Sequence, residues 1–335
     1  MIGFIDIRGF AISPLWRVFL LIVAWIASPA VTLSADHKPA AQACDSTCDS
    51  CGIRPQDQVF LVSTRHLDCQ ALNQDVPNFE ISRYDDGNWQ PAPGYDFCAN
   101  DRELRTIIFV HGNRVDSSFA ILGGLTVYRK LVECAADEPI RFIIWSWCSD
   151  RICGPRRDAR HKADAADEEA VLFGRFIGRL PADQEVGLIG FSFGARIVSG
   201  GLHLVGGGTW LGHRLPACSP SKFHTVLWAG ALNNDWLIPG HAFGQAVNAC
   251  PHWLITINPC DESLKYYKLL DRRCGTHAVG FTGLAGKSQL GDFAAGIREC
   301  TVQHLVGKSH MTLSYPNSPG VMQETRAVVL GSVQR

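Results

Sequence analysis

The sequence predicts an α/β fold: a mostly parallel, doubly wound sheet with helices on both faces. Three observations carry this expectation. Short apolar runs rich in β-branched residues recur at 59–63, 104–110, 140–147, 186–190, 223–229, 252–257 and 277–282. Helical patterns fall between or after them at 117–134, 158–180, 193–205, 262–270 and 320–331. The strand runs are mostly continuous rather than alternating, as expected of strands covered on both faces. Alternation of the two element types implies parallel strands joined by helical crossovers. The chain has 335 residues, 46% of them hydrophobic, which is enough for one large core with sequence to spare.

The chain opens on a targeting pattern. Arg8 and Arg17 precede an apolar stretch at 18–27, and Ala27, Ser28, Ala30, Ser34 and Ala35 follow or close it. This is the order of a basic region, an apolar core and a small-residue cleavage zone. The core is shorter than the roughly 20 residues of a membrane span. Residues 1–35 are therefore expected to be a signal peptide, with an uncleaved N-terminal membrane anchor as the alternative. Residues 36–58 are expected to be a Cys-rich linker, and 59–335 the folded domain. All 13 cysteines follow the signal, which suits an exported, oxidising compartment such as the periplasm or cell envelope. Cys148 and Cys153 are spaced to bridge around 149–152, and disulfides are expected more generally. Cys44, Cys48 and Cys51 have the C-x3-C-x2-C spacing of some iron–sulfur sites, but behind an export signal disulfides are the plainer reading.

The strand at 186–190 runs into Gly190-Phe191-Ser192-Phe193-Gly194, and a helix follows. Glycines two residues either side of a serine permit a very tight strand-to-helix turn. Such a turn holds the hydroxyl at a helix N-terminus, where developing negative charge is favoured. The strand at 104–110 ends in His111-Gly112-Asn113-Arg114, a turn able to aim a backbone N–H at a neighbouring site. The backbone N–H groups of Asn113 and Phe193 are the expected oxyanion donors. The His111 side chain is expected to be structural.

Two later strands run out into acids, Asp235 and Asp261. Functional groups of open α/β sheets collect beyond the C-terminal strand ends. Asp261 is preferred because it follows the later strand, Asp235 is the alternative, and either may instead cap a helix. In the order Ser, acid, His, the base comes from His277, His304 or His310. His310 is preferred because it lies in a loop just before the last helix; His304 is the alternative, and His277 falls in an expected strand.

On these motifs the chain resembles the α/β-hydrolase superfamily, and within it a group of poorly characterised bacterial serine esterases. The resemblance spans about 59–318. It covers the first strand and the Thr64-Arg65 that follows it, a near variant of the group's Thr-x-Arg, then His111-Gly112-Asn113, Trp145-Ser146-Trp147, the elbow at Ser192, Asn258 to Asp261, Arg273-Cys274-Gly275 and Ser309-His310. Two departures from the group's pattern are Phe191 and Phe193 flanking the serine, and Cys148 after Trp147. The resemblance implies a serine hydrolase cleaving a carboxylic ester through Ser192, His310 and Asp261, with no metal or organic cofactor. A thioesterase, amidase or lipase would use the same parts. The rival reading is a non-catalytic envelope binding protein on the same scaffold. The expected partner is a small-molecule or lipid-like ester. Membrane contact is expected only through the N-terminal anchor.

The net charge is −1 and no long basic stripe is visible, so nucleic acid is not an expected partner. Arg156, Arg157, Arg160, His161 and Lys162 are answered in sequence by Asp164, Asp167, Glu168 and Glu169, which reads as a solvated helix face.

Overall fold

The computed structural model describes residues 52–331 apart from 93, 95–103, 134, 136–137, 217–220 and 271–275. The segment 1–35, the cysteines at 44, 48 and 51, and Arg273-Cys274-Gly275 lie outside the described residues. The strands are β1 (Gln58–Ser63), β2 (Glu80–Asp85), β3 (Asn88–Pro91), β4 (Arg105–Val110), β5 (Ile140–Ser146), β6 (Glu185–Phe191), β7 (Lys222–Trp228), β8 (His252–Ile257) and β9 (Ile297–Thr301). They form one sheet in the order β3-β2-β1-β5-β4-β6-β7-β8-β9. All neighbours from β1 to β9 pair in parallel; β2 pairs antiparallel with β1, and β3 with β2.

The four long helices are α1 (Ser117–Val132), α2 (Pro155–Ile177), α3 (Phe193–Val205) and α4 (Pro319–Val329). α2 packs on α3, and α4 packs on α1, so the sheet is covered on both faces. This is a mostly parallel, doubly wound sheet with helices on both faces. From β4 the next strand, β5, is laid on one side and β6 on the other. The sheet therefore changes direction between β4 and β6, and the crevice beyond their C-terminal ends is where such sheets hold ligands.

The central strands follow from their composition. β4, β5 and β6 bury nearly every residue, including Phe109, Phe142, Ile143, Ile144 and Trp145. Trp145 meets Phe79, Phe173 and Phe176 edge-on, at 5.5, 5.1 and 5.1 Å between centroids. Each such side chain contributes about 1.5–3 kcal/mol on burial. A buried ion pair ties α2 to α3: Arg196 Nε and Nη2 reach the two oxygens of Asp167 at 2.8 and 2.9 Å. Arg196 also donates to the Tyr267 hydroxyl at 3.1 Å and lies 4.5 Å from the Trp236 ring centre.

Several expectations are corrected. Residues 277–282 are not a strand. Val279–Thr282 forms a single helical turn, because Val279 and Gly280 donate their N–H groups to Leu232 and Gly230. The strand beside β8 is β9, at 297–301, which has only two apolar residues, Ile297 and Cys300, and an exposed edge. The β2–β3 hairpin was likewise not foreseen. Residues 262–270 are a 3-10 turn, Leu264–Tyr266, followed by one α turn, Tyr267–Leu270.

Gly200 and Gly201 lie inside α3, where a Cβ on Gly201 would stand 2.7 Å from Phe173 Cδ1. Trp210 beyond it packs on Trp236 and Phe243 and donates to the Asp167 carbonyl. The linker expected over 36–58 ends early, since Ile53 is buried and Asp57 accepts from Arg54, Tyr128 and the Ile140 N–H. Cys148 and Cys153 form no disulfide; both are exposed free thiols, and exposed Cys69 and Cys260, half-buried Cys300 and buried Cys250 are free as well. Their segment is organised by other bonds: Ser149 O accepts from Arg114 N–H, Ser149 Oγ exchanges hydrogen bonds with the Val115 backbone, and Ile152 N–H donates to Asp158.

Candidate functional site

The site is built first from backbone. β6 ends at Phe191, Ser192 takes φ 54° and ψ −118°, and α3 begins at once. A positive φ costs a non-glycine residue on the order of 1–3 kcal/mol and persists only where the surroundings over-determine it. Here they do. Ser192 N–H donates to Trp228 O, and Ser192 O accepts from Ala195 and Ala231. Crowding demands the glycines. A Cβ on Gly194 would stand 2.1 Å from Val110 O, and one on Gly190 would stand 2.7 Å from Ala195 Cα. A Cβ on Gly112 would stand 3.0 Å from Ser192 Cβ, so the turn after β4 lies directly against the serine.

Side chains from two later loops meet Ser192. Its Oγ lies 2.9 Å from His310 Nε2, and His310 Nδ1 lies 2.7 Å from Asp261 Oδ2. A carboxylate only accepts, so Nδ1 carries the ring proton and Nε2 is left to accept from the serine hydroxyl. Asp261 is fully buried, and its other oxygen accepts from the N–H groups of Ser263 and Leu264, at 2.9 Å each. It thus caps the turn that follows it as well as holding the imidazole. Phe191 lies beside His310, 5.3 Å between ring centres, and Tyr315 packs on Phe191 and Trp228. Burial, and next the charge of Asp261, push the Tyr315 phenol above its ordinary range.

The loops are pinned by residues the sequence reading gave no role. Asn258 Nδ2 donates to Gly307 O at 2.8 Å, joining the acid turn to the histidine loop, while its Oδ1 accepts from Cys260 N–H. Ser309 Oγ bonds Ser314 Oγ at 2.8 Å and accepts from Met311 N–H. The signal for Asn258 was its position opening Asn258-Pro259-Cys260-Asp261, where an asparagine side chain turns the backbone back on itself.

The expected oxyanion donors flank the serine. Phe193 opens α3, so its N–H has no acceptor within the helix. The Asn113 side chain accepts from Arg114 N–H and reaches Asp158, and its own backbone N–H takes no backbone acceptor among the described residues. His111 is structural: it stacks on Trp147, its Nε2 accepts from Trp147 N–H, and its Nδ1 faces Gly112 O. Burial pushes its pKa down to about 3, keeping the ring neutral.

The alternatives lie elsewhere. Asp235 pairs with His241 at 3.2 Å. His304 is exposed on the one-turn helix Gln303–Val306. His277 is half-buried and stacks on Phe281.

A scan against protein-family models and a search of curated proteins each gave no match. Solved structures gave distant likenesses. A lipase-esterase related protein from Clostridium acetobutylicum is 13% identical, with 68% of this chain and 96% of that chain covered and a TM-score of 0.34. An acetyl xylan esterase, solved as an iodinated complex, is 14% identical, with 67% and 99% covered and a TM-score of 0.30. The catalytic core of acetyl xylan esterase from Trichoderma reesei is 14% identical, with 66% and 98% covered and a TM-score of 0.29.

Proposed function

We propose that this chain is a serine hydrolase that cleaves a carboxylic ester. The observation that carries the reading is the hydrogen-bonded run Ser192–His310–Asp261 on a strained strand-to-helix turn. As Ser192 Oγ attacks the carbonyl carbon, its proton passes to His310 Nε2. Asp261 holds the imidazole in the tautomer that accepts this proton and stabilises the charged ring that results. The N–H groups of Phe193 and Asn113 receive the negative charge that grows on the carbonyl oxygen. His310 then returns the proton to the leaving alkoxide. In the second half, water attacks the acyl-serine, giving its proton to His310, and Ser192 leaves protonated.

The strain at Ser192 fits this reading better than a bare binding platform. A binding platform gains nothing from a serine held at positive φ, whereas a nucleophile gains a hydroxyl aimed at His310 and the helix N-terminus beneath it. The reading extends to an exported protein, supported by the basic and apolar order of residues 1–35. Turnover of a small chromogenic ester by the wild-type chain, abolished in a folded Ser192→Ala variant, is the expected result. Equal turnover by the two chains would place the activity elsewhere.

A further inference from the structure

We propose that the ester this site accepts carries an anionic group, held by Arg151 and Arg157 in a groove beside the turn after β4. The proposal rests on the hydrolase reading above. The groove has a volume of about 370 Å³ and is lined by Arg114, Arg151, Ile152, Cys153, Gly154 and Pro155. It begins one residue past Asn113. Gly112, two residues before Arg114, is the position whose Cβ would lie 3.0 Å from Ser192 Cβ. Successive Cα atoms are about 3.8 Å apart, so the groove starts within roughly 8 Å of the turn that touches the serine.

The charge in this groove is not balanced from within the fold. Asp158, fully buried, takes Arg114 Nε at 2.7 Å and the Ile152 N–H. Asp150 takes Arg65 at 2.7 Å. Asp116 caps α1 by accepting from Phe119 N–H. Those carboxylates are engaged. Arg151 and Arg157 are exposed and pair with no carboxylate among the described residues. Arg157 Cβ would lie 3.7 Å from a Cβ on Gly154, which places Arg157 beside a lining residue of the groove, two positions past Pro155 at its end.

The acids that answer this basic cluster in the sequence do not all answer it in space. Asp167 is turned inward and spent on Arg196, and Glu169 is buried against Thr64 and Trp145. Asp164 and Glu168 are exposed, but Asp164, the nearer, is seven residues along α2 from Arg157, roughly 10 Å of rise away. A solvated face of mixed charge is therefore the wrong description of its first turn. Arg157 and the exposed Arg156 sit in that turn, where the helix dipole disfavours cations. A carboxylate or phosphate would relieve the repulsion and meet the planar guanidinium in a two-point geometry. A neutral ester gains nothing from these groups.

The test compares two fluorophosphonates of equal chain length, one ending in a methyl group and one in a carboxylate. Labelling rates are measured on the full chain, on Arg151→Ala/Arg157→Ala, and on Arg83→Ala. Arg83 is an exposed arginine on β2, far along the sheet, and controls for loss of net charge. The ratio of carboxylate to methyl probe should fall about tenfold in the double variant and stay constant in Arg83→Ala. A ratio that moves by less than about twofold in the double variant overturns this proposal and leaves the hydrolase reading standing. No labelling of folded protein by either probe overturns both.

Discussion

From β4 through α3 the chain alternates buried strands with long helices, and backbone close-packing fixes the turn at Ser192. From β7 to β9 the strands continue, but the chain between them runs through single turns and loops joined by side-chain hydrogen bonds. The first region supplies Ser192 and the two N–H groups beside it. The second supplies Asp261 and His310. Gly194 has Val110 O where its Cβ would be, whereas His310 is held by an Asp261 contact and by loop bonds through Ser309 and, from Asn258, Gly307. Where atoms are set by packed backbone, a change should damage the fold. Where they are set by loop hydrogen bonds, a change should damage the chemistry and spare the fold.

Asp261→Asn should show the second behaviour in its strongest form. Asparagine can still accept from Ser263 and Leu264, but its amide cannot hold the imidazole in the accepting tautomer. Ester turnover should drop by about 10⁴-fold in kcat while the thermal melt stays near wild type. Near-normal kcat would dissolve the contrast. Gly194→Ala should behave in the opposite way. Its methyl group cannot occupy the site of Val110 O, so Tm should fall by roughly 10 °C, the consequence of about 3–5 kcal/mol lost. A well-folded, merely less active Gly194→Ala protein would show that the elbow is less tightly packed than its geometry requires.

The first region also holds two buried titratable groups that pull stability in opposite directions with pH. Burial raises Glu169 from 4.5 to about 7, although Thr64 and Trp145 both donate to its Oε1. The folded chain then binds more protons than the unfolded one between pH 4.5 and 7, so stability falls as pH rises through that window. Burial lowers His111 from 6.5 to about 3. There the unfolded chain binds the proton first, and stability falls as pH drops below 6.5. Glu169→Gln keeps an oxygen for both donors and removes the charge. Its stability advantage over wild type, measured by denaturant melts, should grow from near zero at pH 4.5 to at most ~3 kcal/mol at pH 8. An advantage that does not change with pH would mean the carboxyl is not paying for its burial.

The smallest expected effect belongs to the alternatives in the second region. Asp235→Asn and His304→Gln should each change kcat by roughly twofold or less, equivalent to under about 0.5 kcal/mol. Asp235 faces His241 and His304 faces solvent. A collapse of turnover in either would mean that the loops rearrange when substrate binds.

The same contrast explains what could be read from the sequence. β4, β5, β6 and α3 announce themselves because long apolar runs and helical periods are what packed elements require. The elbow was legible because its glycines are dictated by backbone contact. The second region hid its structure for a physical reason. Residues 277–282 are as apolar as a strand, yet bonds to Leu232 and Gly230 wind them into a turn, and no local pattern reports such tertiary contacts. β9 hid because an edge strand needs few apolar residues. The β2–β3 hairpin did leave a sign, Asp86-Gly87 with φ of 42° and 84°, the pair that two-residue hairpin turns favour. Of the site, Ser192, Asp261 and His310 were nominated from their order along the chain, and these are the three side chains brought within hydrogen-bond distance. Asn258 is visible in the sequence only as the opening of the acid turn, because its contribution is a bond to the backbone of Gly307, which sequence order does not reveal. The arginines at 156 and 157 were misjudged because charge balance along a helix says nothing about which acids turn inward.

The central claim is that Ser192 is a nucleophile activated by His310. The most direct measurement is covalent labelling of the folded chain with a neutral alkyl fluorophosphonate, followed by mass mapping of the adduct. A single adduct on Ser192, lost or slowed by orders of magnitude in a folded His310→Gln variant, is the predicted result. An adduct on another residue, no adduct on folded wild-type protein, or labelling of Ser192 that is indifferent to His310→Gln would contradict the account.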